Sequence, residues 1–291
     1  MLAVPPSIEL ALTDKYPPVP FTTFRDLYNA VSARHDKLYH GFQDQYLSFC
    51  NLKPAQFEIL DARRTLTIGK GARFTYFPDI ETLIIKLTSG ATEVAHSNLS
   101  MSIYLEVVGV KRRQVAGAEN FDMQEFCPIG KTTFTGQNGS VKEGDSTFIN
   151  IIQRPKNSNW PHLVIQAGLS EALPRLRSDA RWWLEHSGGQ IDIVILIWIQ
   201  STAKIITLEK WTPGTALTRR SHRLAQSNAF PTRSAEITIN ISESPSVITG
   251  APLVLEFEKL VGRPANSPLE QDVILTDHDL DKWAMLIQGV L

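Results

Sequence analysis

Two short segments in the middle of this chain carry residues whose types and spacing could do chemistry. Lys142-Glu143-Gly144-Asp145 is an acidic turn. Leu163-Val164-Ile165-Gln166-Ala167-Gly168 is an apolar run with one amide near its end. Such a run reads as a strand buried on both faces, where a polar side chain is costly without a partner. An acid at the end of one strand, beside a polar residue on the next, brings oxygen ligands together. Hard divalent cations such as Mg²⁺ take oxygen ligands and keep water in the remaining positions. Gln166 offers an oxygen but no charge, so it makes a weaker ligand than a carboxylate would.

Further candidates flank this pair. Glu93 lies in a helix expected over about Ala91 to Val108, with His96 three residues on and on the same face. His96 either orients a ligand or is a hydrogen-bonded structural histidine. Arg177 and Arg181 lie on the helix expected over Leu173–His186. By spacing they read as surface partners of Asp179 and Glu185. The buried stripe of that helix is Leu173, Leu176, Ala180, Trp183 and Leu184, with Arg175, Arg177, Arg181 and Glu185 largely off it. Trp182 reads as a semi-exposed packing residue or a base-stacking platform, with packing favoured.

Several elements must position these groups. Residues 1–20 hold five prolines and read as an extended arm. From Thr23 to Cys50 apolar residues recur at helical spacing, among them Phe24, Leu27, Val31, Tyr39, Phe42, Tyr46 and Phe49. Thr23 and Asp26 form a helix-start pair, and Gly41 marks a division. Strands are expected at Arg73–Phe77, Thr82–Leu87, Lys131–Thr135 and Val141–Ile152. The unit His162–Gln166, Leu173–His186, Ile191–Ile199 reads strand, helix, strand, a crossover between parallel neighbours stopped at Gly188-Gly189. Ile205–Trp211, Ala235–Ile241 and Leu253–Phe257 follow as strands, and Leu275–Leu291 closes as a helix capped by Thr276. No glycine-rich phosphate loop and no His-Glu-x-x-His metal pair occurs.

Bulk properties exclude some classes. The formal net charge is −1 over 291 residues, so no global basic field recruits nucleic acid. Local basic runs remain at Lys111-Arg112-Arg113 and at Arg219, Arg220, His222 and Arg223. Two cysteines, Cys50 and Cys127, give neither a disulfide framework nor a cysteine zinc site. The longest apolar stretch, Ile191 to Ile199, contains Asp192 and is too short to span a bilayer. No membrane contact and a reducing intracellular setting, cytoplasmic or nuclear, are expected.

The same residues resemble a large fungal group with a restriction-endonuclease-like core, within the PD-(D/E)XK nuclease superfamily. Lys142-Glu143-Gly144-Asp145 resembles that group's K-E-P-D, with Gly144 for proline. Leu163 to Gly168 resembles its strand ending in E-x-G, with Gln166 for glutamate. Ser170-Glu171 through Arg181-Trp182-Trp183-Leu184-Glu185-His186-Ser187-Gly188-Gly189 is the most specific stretch. Thr92-Glu93 resembles its H-E, and Leu253 to Asp272 its C-terminal strand and loop. The resemblance implies an α/β fold, a restriction-endonuclease-like mixed sheet flanked by helices. It covers about residues 72–290, within a unit over 61–291 that follows an arm and helical extension over 1–60. It further implies Mg²⁺-dependent phosphodiester hydrolysis of nucleic acid. Asp145 would be the central ligand, with Glu93, Gln166 and more weakly Glu143. Gly168 stands where a lysine is usual, which would pass the cationic role to Arg177 or Arg181. The losses at Gly144, Gln166 and Gly168 imply weakened activity. The alternative is a catalytically degenerate nuclease fold binding nucleic acid or protein, with the aromatic N-terminal helices as a protein-docking surface.

Overall fold

The computed structural model describes residues 6–11, 17–69, 71–109, 122–156, 159–170, 172–214, 230–266 and 270–291. Both basic runs, at 111–113 and 219–223, and Glu171 lie outside the described residues.

The chain begins with α1 (Ser7–Ala11), β1 (Val19–Pro20), α2 (Phe24–Tyr39), β2 (Tyr46–Cys50), α3 (Pro54–Thr67), β3 (Ala72–Phe77) and β4 (Thr82–Leu87). Thr23 caps α2, its hydroxyl accepting from the Asp26 N–H at 3.2 Å. The helix expected as far as Cys50 ends at Tyr39, and Gly41 follows with φ +88°. Tyr46 and Phe49 keep helical spacing but lie in a strand, opposite Lys86 and Leu83 of β4. Pairing with β4 overrides the local periodicity. α3 was not legible in the sequence, and α1 replaces part of the extended arm expected there.

Beyond α4 (Gly90–Val107) come β5 (Cys127–Pro128), β6 (Thr133–Thr135), β7 (Val141–Glu143), β8 (Ser146–Ile149) and β9 (Leu163–Leu169). Then follow α5 (Leu173–His186), β10 (Ile193–Gln200), β11 (Ile205–Thr212), β12 (Thr232–Asn240) and β13 (Val247–Thr249). The chain ends with β14 (Leu253–Leu255), α6 (Phe257–Val261), β15 (Val273–Leu275) and α7 (Asp277–Gln288). The fold is thus mixed α/β. One sheet has the order β1-β2-β4-β3-β7-β6, a second β13-β12-β11-β10-β9-β8-β5, and β14 pairs with β15.

In the first sheet, Phe74, Tyr76, Leu83 and Ile85 pack against Leu27 and Val31 of α2 and Leu60 of α3. In the second, β9 and β10 run parallel with α5 between them in sequence. β9 alternates: Leu163, Ile165 and Ala167 face α4 with Ala91, Ala95 and Leu99, whereas Val164 faces α5. Trp182 and Trp183 of α5 are both fully buried, with Trp160 and Phe134 beside them. Trp182 is therefore neither semi-exposed nor a stacking platform. Its indole N–H donates to Ser140 Oγ at 2.9 Å.

The strand expected over Val141–Ile152 divides at Gly144-Asp145. Residues 141–143 pair with β3 and β6 in the first sheet, and residues 146–149 pair with β9 in the second. A Cβ at Gly144 would meet Thr147 Cγ2 at 2.6 Å, so the passage between sheets requires glycine there. The two sheets part at this point, and a crevice opens beside it.

Candidate functional site

The crevice is built from strand ends. β8 opposes β9 only as far as Ser146 against Ile165. Past that point β9 has a bare edge, and side chains satisfy it. The Ala167 N–H donates to Asp145 Oδ2 at 2.8 Å, and the Leu169 N–H to Gln45 Oε1 at 2.8 Å. Gln166 donates its amide to the Glu143 carbonyl at 3.1 Å. A carboxylate at 166 has no proton to give that carbonyl, which is a local reason for glutamine.

Two cations enter from the first sheet. Arg73 of β3 and Lys86 of β4 are direct cross-strand partners, and both are buried. Like charges placed opposite each other repel unless an anion lies between them. Asp145 supplies it: Lys86 Nζ is 2.5 Å from Oδ2 and Arg73 Nε 3.4 Å from Oδ1. Burial pushes the Asp145 carboxyl up, but Lys86, His96 and Arg73 outweigh it and hold it at about 2.

Glu93 joins through Arg73, with Nη2 3.3 Å from its carboxylate. His96 Nε2 lies 3.1 Å from the same carboxylate, and His96 Nδ1 is 2.9 Å from Ser146 Oγ. The His96 hydrogen bond, against burial, keeps the Glu93 carboxyl below its ordinary value. Glu143 does not share the direction of Asp145, because the chain bends at Gly144. Its carboxylate takes Arg64 of α3, Thr133 Oγ1 at 3.0 Å and the Phe74 N–H at 3.2 Å. On the far side Asp179 binds Lys142 at 2.7 Å and Arg175 at 2.8 Å. Burial lowers the Lys142 ammonium to about 8, with Asp179 opposing the shift. Arg175, expected off the buried stripe of α5, is 1% exposed.

Tyr46, Arg73, Thr75, Lys86, Lys142 and Gln166 are among the residues lining a cavity of about 10 Å³, close to one water in size. Around it, among the described residues, five cations (Arg64, Arg73, Lys86, Lys142, Arg175) meet five carboxylates (Asp61, Glu93, Glu143, Asp145, Asp179). The charges balance and leave no surplus negative charge for a divalent cation.

The expected site residues divide into two groups. Glu93, Asp145 and Gln166 belong to the same cluster. Yet Gln166, alternating with Ile165 and Ala167, lies on the α5 face, while Glu93 comes from α4 on the other. Asp145 sits at the sheet edge between them. Arg177 and Arg181 do not enter the crevice. Arg177 is 2.5 Å from Glu209 of β11, and Arg181 lies 3.5 Å from Glu185 and 3.7 Å from Glu9. Gln166, Leu196 and Glu209 form one cross-strand row, so Arg177 is anchored two strands away, about 10 Å by strand spacing. Neither arginine pairs with Asp179, whose partners are Arg175 and Lys142.

Sequence reasoning missed Arg73, Lys86, Arg64 and Gln45. A signal existed for the first two. Each is the one charged residue in an otherwise apolar or hydroxyl-bearing strand, Ala72-Arg73-Phe74-Thr75-Tyr76-Phe77 and Thr82-Leu83-Ile84-Ile85-Lys86-Leu87. Gln166 interrupts its own strand in the same way. Among the described residues, no group of three or more His, Cys, Asp or Glu side chains is arranged to hold a metal ion. No helix among them is long and apolar enough to cross a membrane. No protein-family model matches the chain, and no curated protein matches it.

Proposed function

We propose that this protein is a degenerate member of the PD-(D/E)XK superfamily, in which internal ion pairs replace a metal-dependent nuclease site. It works by binding nucleic acid or protein rather than by cleaving phosphodiesters. One observation supports the reading: Asp145, the central ligand that the resemblance implies, has Lys86 and Arg73 as its charged partners. Asp145 Oδ2 takes Lys86 and the Ala167 N–H, and Oδ1 faces Arg73 Nε at 3.4 Å as an ion pair without a hydrogen bond. Glu93 is held by Arg73 and His96. Each of these carboxylates already faces a basic side chain, so the donor set has no surplus negative charge to offer a hard divalent cation. The restriction-endonuclease-like core belongs to this proposal, and so does an intracellular setting, which suits the unpaired Cys50 and Cys127.

A second reading, weak Mg²⁺-dependent cleavage of nucleic acid, is favoured by the membership of Glu93, Asp145 and Gln166 in one cluster. One experiment separates the two. Wild-type protein and Gln166→Glu are titrated calorimetrically with Mg²⁺ and Mn²⁺ and assayed on single- and double-stranded DNA and RNA. The degenerate reading expects neither metal binding nor cleavage from either protein. Mn²⁺ binding and cleavage that strengthen in Gln166→Glu would establish the second reading instead.

A further inference from the structure

The N-terminal turn α1 has no strand partner and is only five residues long, yet its inner side is fully covered. Leu10 is 0% exposed and Ala11 2%, both packed within the aromatic cluster of α5. Isolated helices this short do not persist in water, so the conformation is imposed by its seat. That seat reads the turn residue by residue. Asn138 Nδ2 donates to Ser7 Oγ at 3.1 Å. Arg181 Nη2 lies 3.7 Å from the Glu9 carboxylate. Leu10 fills the apolar slot. Arg175 Nη1 donates to the Ala11 carbonyl at 3.2 Å.

The Arg175 contact gives the seat a connection inward. Arg175 also holds Asp179, Asp179 holds Lys142, and Lys142 donates to Thr75 Oγ1 at 2.9 Å in the crevice. The Ala11 carbonyl is thus the outermost oxygen of a buried polar chain. Unseating α1 would leave an apolar slot beside a guanidinium with a donor to spare.

We propose that this groove over α5 is a peptide-docking site, and that its occupant is the chain's own N-terminal turn, seated reversibly. The groove takes a helical turn with the pattern Ser-x-Glu-Leu-Ala. The assignment does not depend on whether the crevice binds a metal. Among the described residues the turn is anchored by one large apolar side chain, one hydrogen bond to its backbone and two side-chain contacts, a seat small enough to release. A segment in cis competes with any peptide in trans through its high effective concentration.

The test uses the full chain and a synthetic peptide of residues 1–14. Full-length Leu10→Asp, with its own turn unseated, should bind the wild-type peptide with a micromolar dissociation constant. Wild-type protein should bind that peptide at least tenfold more weakly, and a Leu10→Asp peptide should bind neither protein. A folded Leu10→Asp protein that ignores the wild-type peptide would overturn the proposal, as would equal binding of both peptides. Hydrogen exchange on wild-type protein decides independently, including where Leu10→Asp fails to fold. The amides of Leu10 and Ala11 should exchange at least a hundredfold faster than those in the middle of α5. Equal protection would make α1 a fixed part of the core and end the idea.

Discussion

Asp145 and Glu209 are both buried carboxylates held by two cations and one neutral N–H, yet they are built for different tolerances. Asp145 has Lys86, Arg73 and the Ala167 N–H; Glu209 has Arg177, Arg233 and the Trp211 indole. Both carboxylate side chains are 1% exposed. The side chains of Lys86 and Arg73 are 5% and 8% exposed, whereas those of Arg177 and Arg233 are 42% and 41%. Around Glu209, water can take over from a lost cation. In the crevice it cannot, because the cavity admits about one water. The composition of an ion-pair cluster therefore says little until the exposure of each partner is known.

The largest effect should come from breaking the closed cluster. Lys86→Met leaves Asp145 buried with one distant cation and should cost roughly 3–5 kcal/mol, as removal of one partner from a buried pair does. Urea unfolding measures it. Adding Asp145→Asn to Lys86→Met should recover part of the loss, because the uncompensated charge is then gone. Additive losses would mean that the two residues are not energetically coupled.

Acid unfolding sharpens the comparison further, but His186 must be taken into account first. Its ring is 1% exposed, stacked on Trp182 at 5.2 Å, and burial lowers its pKa from 6.5 to about 4. The unfolded chain then takes up this proton first. Stability falls between about pH 6.5 and 4, by up to about 3 kcal/mol, with no contribution above that window. His186→Phe should flatten the stability profile there. A profile unchanged from wild type would show that the ring is not shielded.

Below that window Asp145 takes over. Its folded pKa is about 2 against 3.8 unfolded, so its contribution is complete above about pH 4 and is lost as pH falls towards 2. The loss amounts to about 2 kcal/mol, and Asp145→Asn should abolish that part of the acid slope.

The smallest effect is expected at the open cluster. Arg177→Ala should cost no more than about 1 kcal/mol, since Arg233 and Trp211 remain and the lost side chain was half in solvent. Thermal melts suffice to check it. A loss equal to that of Lys86→Met would remove the distinction drawn between the two clusters.

How much of this was legible before the structure follows from range. Thr23 and Thr276 were readable as caps, because a cap depends on residues three apart in sequence. β3, β4, α4, α5 and β9 were readable from runs and stripes within one element. The proximity of Asp145 to Gln166 also followed, since their strands are consecutive in the chain and pair directly as β8 and β9. β2 and α3 were not readable. The aromatic spacing of α2 continues through Tyr46 and Phe49, and only the pairing of that segment with β4 makes it a strand.

The sequence by itself determined which residues are polar in apolar strands, and therefore which must find partners: Gln166, Arg73 and Lys86. The bend at Gly144 belongs to the tertiary structure, because the run Val141–Ile152 reads as one strand and only the packing of Thr147 beside Gly144 leaves a side chain no room there. Tertiary structure alone decided who the partners are. Arg73 and Lys86 are neighbours because β3 and β4 pair in that register, and Asp145 meets them because its strand passes from one sheet to the other. The resemblance implied Arg177 as a cation in place of the lysine missing at Gly168, but its anion, Glu209, lies two strands from Gln166. Charge pairing in a folded interior depends on distances of a few ångströms between elements far apart in sequence, and no spacing along the chain encodes those distances.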